Sequence, residues 1–201
     1  MSNIYFIHGL LSTPETATGK ALDNVTGVAS IKLDYSPEYT WSQNWSWLRS
    51  QTSGASSSDI FVGESMGGFF AAQLASRYDA KFYGWNPVIV PGEQLLQFVG
   101  EQYIEDGRKV VITEEAILSY WNAPDQRGLM GSGCVGLMQS PQDDLLPYKL
   151  ALSYYESKLN FVDLVTDGHS IQQPTSFKIA GSRVLAWAPD LAYPIIRAAK
   201  D

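Results

Sequence analysis

One serine set between glycines, two histidines and an acidic turn carry most of the chemistry available to this chain. Ser65 lies in Gly63-Glu64-Ser65-Met66-Gly67, a G-x-S-x-G pattern that follows the apolar run Ile60-Phe61-Val62 and precedes Gly68-Phe69-Phe70-Ala71-Ala72. A strand entering such a turn and a helix leaving it form a sharp bend that holds one hydroxyl out over the sheet edge. The bend also puts Ser65 at a helix N-terminus, where the Met66 N–H and the helix dipole favour an anion formed beside the serine. The pattern alone is weak in a chain with 17 glycines. Its flanks give it weight.

A serine hydroxyl needs a base, and the chain has only His8 and His169. His169 falls in Asp167-Gly168-His169-Ser170, a loop after the last expected strand, and is the candidate base. His8 reads as a structural brace. The acid that orients the base belongs between serine and histidine in chain order. Gln142-Asp143-Asp144-Leu145-Leu146-Pro147 meets that condition directly after the penultimate strand. Asp143 is the favoured acid, with Asp144 the alternative and otherwise a helix N-cap. Asp163 reads as an alternating strand residue and Asp167 as a turn former. The loop His8-Gly9-Leu10 leaves the first strand, and the Leu10 N–H is the expected second oxyanion donor beside that of Met66.

The elements that must position these groups alternate between two periods. Ile4–Ile7, 28–33, 59–64, Lys81–Trp85, 133–138 and 160–165 are apolar runs of strand length, as buried parallel strands require. Helices are expected at 15–24, Trp41–Gln51, directly after the G-x-S-x-G turn, 145–157 and 183–200, the last interrupted near Pro189 and Pro194. Strand and helix in alternation give an α/β fold with a mostly parallel central sheet, read as a single domain over 1–201. Residues 91–130 break the alternation and are expected to be a short cap-like insertion over the site, with a helix around Leu95–Val99, a strand at 110–112 and a helix from Glu114 capped by Thr113. Leu95, Phe98 and Trp121 are its candidate pocket residues. Trp41, Trp45 and Trp47 read as packing of a helix on the sheet.

Bulk properties exclude several other functions. A net charge of −7 and the absence of a Lys/Arg cluster speak against nucleic acid and anionic membrane as partners. No run approaches transmembrane length, and the N-terminal run stops at His8-Gly9 without a basic leader, so the cytoplasm is the expected location. Gly131-Ser132-Gly133-Cys134-Val135-Gly136 matches G-x-G-x-x-G literally but enters a strand instead of opening a helix, which excludes a dinucleotide site. Two separated histidines and a single Cys134, read as a small core hydrophobe, are too few for zinc. No cofactor and no metal are expected.

His8-Gly9-Leu10, Gly63-Glu64-Ser65-Met66-Gly67-Gly68, Asn86-Pro87, Asp143-Asp144-Leu145-Leu146-Pro147-Tyr148 and Gly168-His169 together resemble the small YqiA-type bacterial esterases of the α/β-hydrolase superfamily. Pro91 with Leu95-Leu96 and Gly100, and Ala151 with Tyr154-Tyr155, extend the resemblance over nearly the whole chain. It implies a compact α/β-hydrolase fold and a cofactor-free enzyme acting on small acyl esters or acyl thioesters, with Ser65, His169 and Asp143 as its triad. The chain departs from the family in Glu64 and Met66, where members tend to carry a small residue and Leu. The same triad also serves peptidases, lactonases and C–C hydrolases, and the fold alone also serves non-catalytic binding proteins.

Overall fold

The computed structural model describes residues 2–125 and 130–191. Six strands form one sheet: β1 (Ile4–Ile7), β2 (Ile31–Leu33), β3 (Ile60–Glu64), β4 (Lys81–Trp85), β7 (Val135–Gln139) and β8 (Leu159–Leu164). Their spatial order is β2-β1-β3-β4-β7-β8 and every pairing is parallel. The remaining two, β5 (Gly100–Tyr103) and β6 (Lys109–Ile112), make a separate antiparallel hairpin.

The two-residue period of each strand explains the layers. Tyr5, Ile7, Phe61, Phe82 and Leu137 face one side, where α2 (Trp41–Gln51), α3 (Met66–Tyr78) and α6 (Tyr148–Tyr155) close a large core. Ile4, Phe6, Ile60, Val62, Tyr83, Trp85 and Met138 face the other, beneath α1 (Ala17–Thr26) and α7 (Pro174–Trp187). Both faces are covered, which is why these strands read as unbroken apolar runs. The α/β fold with its parallel sheet is as expected from the sequence.

Several bounds differ for local reasons. α1 begins at Ala17 because the Thr16 side chain accepts from the Gly19 N–H, and it ends at Gly27 with φ 66°. That left-handed cap uses up the residues before β2, which keeps only Ile31–Leu33 of the expected 28–33. α7 starts at Pro174, nine residues ahead of the expected 183, because proline is well placed in a first helical turn. Its described end is near Ala188, and the part of the expected tail from 192 onward, Pro194 included, lies outside the described residues. Between β4 and β7, the expected helix around Leu95–Val99 is instead a short α4 (Pro91–Gln94) and a 3-10 turn Leu96–Phe98. α5 (Glu114–Leu118), capped by Thr113 as expected, follows the hairpin; residues 126–129 are outside the described set. Cys134 is only half-buried, one residue ahead of β7, and is not a core hydrophobe. Trp41 packs on Trp45, Phe69, Phe70 and Tyr120 within the helical layer, while Trp47 is exposed.

Candidate active site

The C-terminal ends of parallel strands are where α/β proteins gather their ligands. Ser65 follows β3, Asp143 follows β7 and His169 follows β8, and the three side chains meet above that edge. His169 Nε2 lies 3.0 Å from Ser65 Oγ, and His169 Nδ1 lies 2.9 Å from Asp143 Oδ2. An Nδ1–H donated to the carboxylate leaves Nε2 free to accept the serine proton, the tautomer that nucleophilic catalysis needs.

The bend holding Ser65 is sterically determined. Ser65 has φ 54° and ψ −122°, a conformation costly for a residue with a side chain and common where a hydroxyl must be presented. A Cβ on Gly67 would run into the Ile7 and His8 carbonyls, so only glycine lets α3 cross so close to β1. That crossing brings the Gly9-Leu10 loop beside Ser65, and Gly9, Leu10 and Ser65 share the lining of one cavity. Neither the Leu10 N–H nor the Met66 N–H donates to another group among the described residues. His8 lies below this loop, stacked on Tyr35 at 4.7 Å, with Nδ1 2.8 Å from the Gly9 carbonyl and Nε2 3.2 Å from Asp34.

The two candidate acids separate cleanly. The Asp143 side chain is 1 % exposed, and its Oδ1 accepts the Leu145 and Leu146 N–H groups at 2.9 Å each while Oδ2 faces His169. Burial works against its charge, but the His169 bond and the two N–H groups outweigh it and hold the carboxyl below its ordinary range. Asp144 is exposed. α6 begins at Tyr148 and not at 145 because Pro147 disfavours helical backbone at Leu146 and stands, extended, as the N-cap. Asp163 pairs with Arg183, and Asp167 accepts the Gln172 and Gln173 N–H groups, as its turn-former reading requires.

One positioning residue was not singled out from the sequence. Asn86 is buried, with φ 41°, and its side chain spans the loops that carry Asp143 and His169. Its Nδ2 donates to the Gly168 and His169 carbonyls at 3.2 and 2.6 Å, and its Oδ1 accepts the Ser140 N–H at 2.8 Å. Asn-Pro reads as strand punctuation; the usable signal was an asparagine at a strand end, where its tolerance of positive φ is needed. Asn86→Ala removes three hydrogen bonds, one buried and two partly buried, so a loss of about 3 kcal/mol in urea unfolding is expected, with kcat down roughly 10²-fold as the His169 loop shifts.

The cavity in front of Ser65 has a volume of about 340 Å³, at the small end of ligand sites. Leu95 and Phe98 line it, as does Glu64. Trp121 does not. It is 56 % exposed and lies against Gly92 in a separate cleft, because its 3-10 turn sends Tyr120 into the core and the next side chain outward. Among the described residues no cluster of three or more His, Cys, Asp or Glu is placed to hold a metal ion. No described helix is long and apolar enough to cross a membrane.

A parallel sheet of this order, with a strained serine at the β3–α3 bend, defines the α/β-hydrolase fold. Solved structures agree at the level of fold. α/β hydrolase domain-containing protein 10 from mouse superposes with a TM-score of 0.69 at 17 % identity, over 94 % of this chain and 90 % of that one. Est1E from Butyrivibrio proteoclasticus gives 0.67 at 16 %, over 94 % and 88 %. The esterase domain of a Rhodothermus marinus protein gives 0.61 at 16 %, over 92 % and 85 %. The chain itself belongs to the uncharacterised protein family UPF0227, the YqiA-like family its motifs resemble, whose family model matches residues 3–177.

Proposed function

We propose that this protein is a cofactor-free serine hydrolase that cleaves small carboxylic esters or acyl thioesters through an acyl-enzyme. The reading rests on one observation above the others: a serine, an imidazole and a buried carboxylate joined by contacts of 3.0 and 2.9 Å at the mouth of an apolar cavity. Ser65 Oγ attacks the carbonyl carbon while His169 Nε2 takes its proton. Asp143 keeps the imidazole in the accepting tautomer and stabilises the imidazolium. The Leu10 and Met66 N–H groups receive the oxyanion, and one such donor is worth on the order of 10²–10³ in rate. Collapse expels the alkoxide or thiolate, which takes the proton back from His169, and water repeats the sequence to free Ser65. Leu95, Phe98 and the leucines of the cavity hold the acyl chain, with the part of the insertion around Leu95–Phe98 and Glu105 standing over it. The fold it shares with an esterase domain adds support. Such a reaction needs only dissolved substrate, in keeping with a cytoplasmic location.

A neutral fluorophosphonate tests this directly. The expected result is a single adduct mapped by mass spectrometry to Ser65, formed in step with loss of p-nitrophenyl butyrate hydrolysis. A folded protein inert to both reagents overturns the reading in favour of a binding scaffold.

A further inference from the structure

Glu64 precedes Ser65 and continues the inward row of Ile60 and Val62, where the sheet would otherwise place an apolar side chain. It is 6 % exposed, and its Oε1 accepts the Ile171 N–H at 3.3 Å. Burial pushes its carboxyl above the ordinary range, with the Ile171 N–H, the charge of His169 and the hydroxyls of Thr18 and Ser170 working the other way. No lysine or arginine is among those neighbours, so charge on this carboxyl is balanced only by the Ile171 N–H, the two hydroxyls and the His169 imidazole. Glu64 also lines the cavity in front of Ser65. A second carboxylate, Glu105, stands exposed at the rim, held by the Ser12 and Thr13 hydroxyls at 2.6 and 2.8 Å. Among the described residues the cavity lining holds no lysine or arginine. An acyl group entering it meets leucines and Phe98, the neutral polar groups Ser12, Thr16, Thr18, Gln97 and Ser170, the His169 imidazole, and two carboxyl groups as the acidic side chains.

We propose that Glu64 sets the charge specificity of this cavity, admitting acyl groups that are neutral or carry a positive charge and rejecting those that carry a negative one. The proposal rests on Ser65 being the nucleophile of an ester hydrolase. An acyl terminus whose charge comes within roughly 7 Å of a charged Glu64 carboxylate would, at an effective dielectric near 20, meet on the order of fiftyfold discrimination, which salt screening reduces to about tenfold. The matched probes are p-nitrophenyl esters of hexanoate, adipate and 6-(trimethylammonio)hexanoate, which share a leaving group and chain length and differ in the charge at the far end.

In the wild type, kcat/KM should rank cationic above neutral above anionic, with about tenfold between steps. In Glu64→Gln the adipate-to-hexanoate ratio should rise about tenfold and the cationic-to-neutral ratio fall by a similar factor. Glutamine keeps an oxygen for the Ile171 N–H, and any disturbance of the His169 loop scales all three substrates together and cancels in the ratios. Ratios that agree within twofold between wild type and Glu64→Gln, with Ser65 labelled by fluorophosphonate in both, overturn the charge role and leave the hydrolase reading standing. A wild type that takes adipate as readily as hexanoate overturns it without any variant. An unreactive Ser65 in the wild type overturns the hydrolase reading and this inference with it.

Discussion

Ser65→Ala is expected to lower kcat on short p-nitrophenyl esters by roughly 10⁶-fold while the protein stays folded and still binds substrate. The size follows from the division of labour at the site. In the proposed reaction the hydroxyl is the only group that forms a bond to substrate, so its removal would abolish the acyl-enzyme route and leave the two proposed oxyanion donors and the cavity, a remainder that in such enzymes sustains about 10³–10⁴-fold over water. Stability should change little. Alanine at position 65 must still adopt φ 54°, the strain is already present in the wild type, and the only bond lost is the 3.0 Å contact to an imidazole that Asp143 continues to hold. His169→Ala should cost about as much, and the double variant scarcely more than either, because neither group works without the other. The measurement is kcat for the four proteins with unfolding midpoints alongside. Residual activity above a few per cent in Ser65→Ala, or a fluorophosphonate adduct on another serine, would overturn the assignment.

The parts of this architecture that were legible beforehand share a physical cause: they are imposed by burial or by sterics within a few residues. Ile4–Ile7 and 60–62 must be covered on both faces, and that alone calls for helices above and below a parallel sheet. Gly67 has no tolerable substitute against the Ile7 and His8 carbonyls, so the bend announces itself in the spacing. Asp143 was separable from Asp144 only as a preference, since position cannot say which of two adjacent carboxylates turns inward; the Leu145 and Leu146 N–H groups decide it by fixing Oδ1. The features that were not legible depend on long-range partners. Asn86 joins loops 54 and more than 80 residues away, and its place at a strand end does not say which loops it joins. β5 escaped because Gly100-Glu101-Gln102-Tyr103 has no apolar alternation and its strand character comes from pairing with β6. Trp121 was placed by its residue type, whereas the phase of its 3-10 turn directs it away from Ser65.

Asp143→Asn should reduce kcat by roughly 10⁴-fold, and Asp144→Asn by less than about twofold. The reason lies in the two oxygens of Asp143. The Leu145 and Leu146 N–H groups require an oxygen at Oδ1, so an asparagine must turn its NH₂ toward His169 Nδ1, where Oδ2 now stands at 2.9 Å. A donor there drives the imidazole to the tautomer protonated on Nε2, which faces Ser65 with a hydrogen instead of a lone pair, and the base is disabled with its geometry intact. KM should therefore move far less than kcat. Stability carries a second signature. The Asp143 carboxyl is held below its ordinary value, so its charge contributes stability that is fully present above the unfolded value near 3.9 and disappears as pH falls through the lower folded value. The stability gap between wild type and Asp143→Asn should be present at about pH 5 and narrow below about pH 4, as urea unfolding across that range would show. Asp144, exposed to water, should produce neither effect. Equal and small losses of kcat in the two variants would place the acid elsewhere and remove Asp143 from the triad.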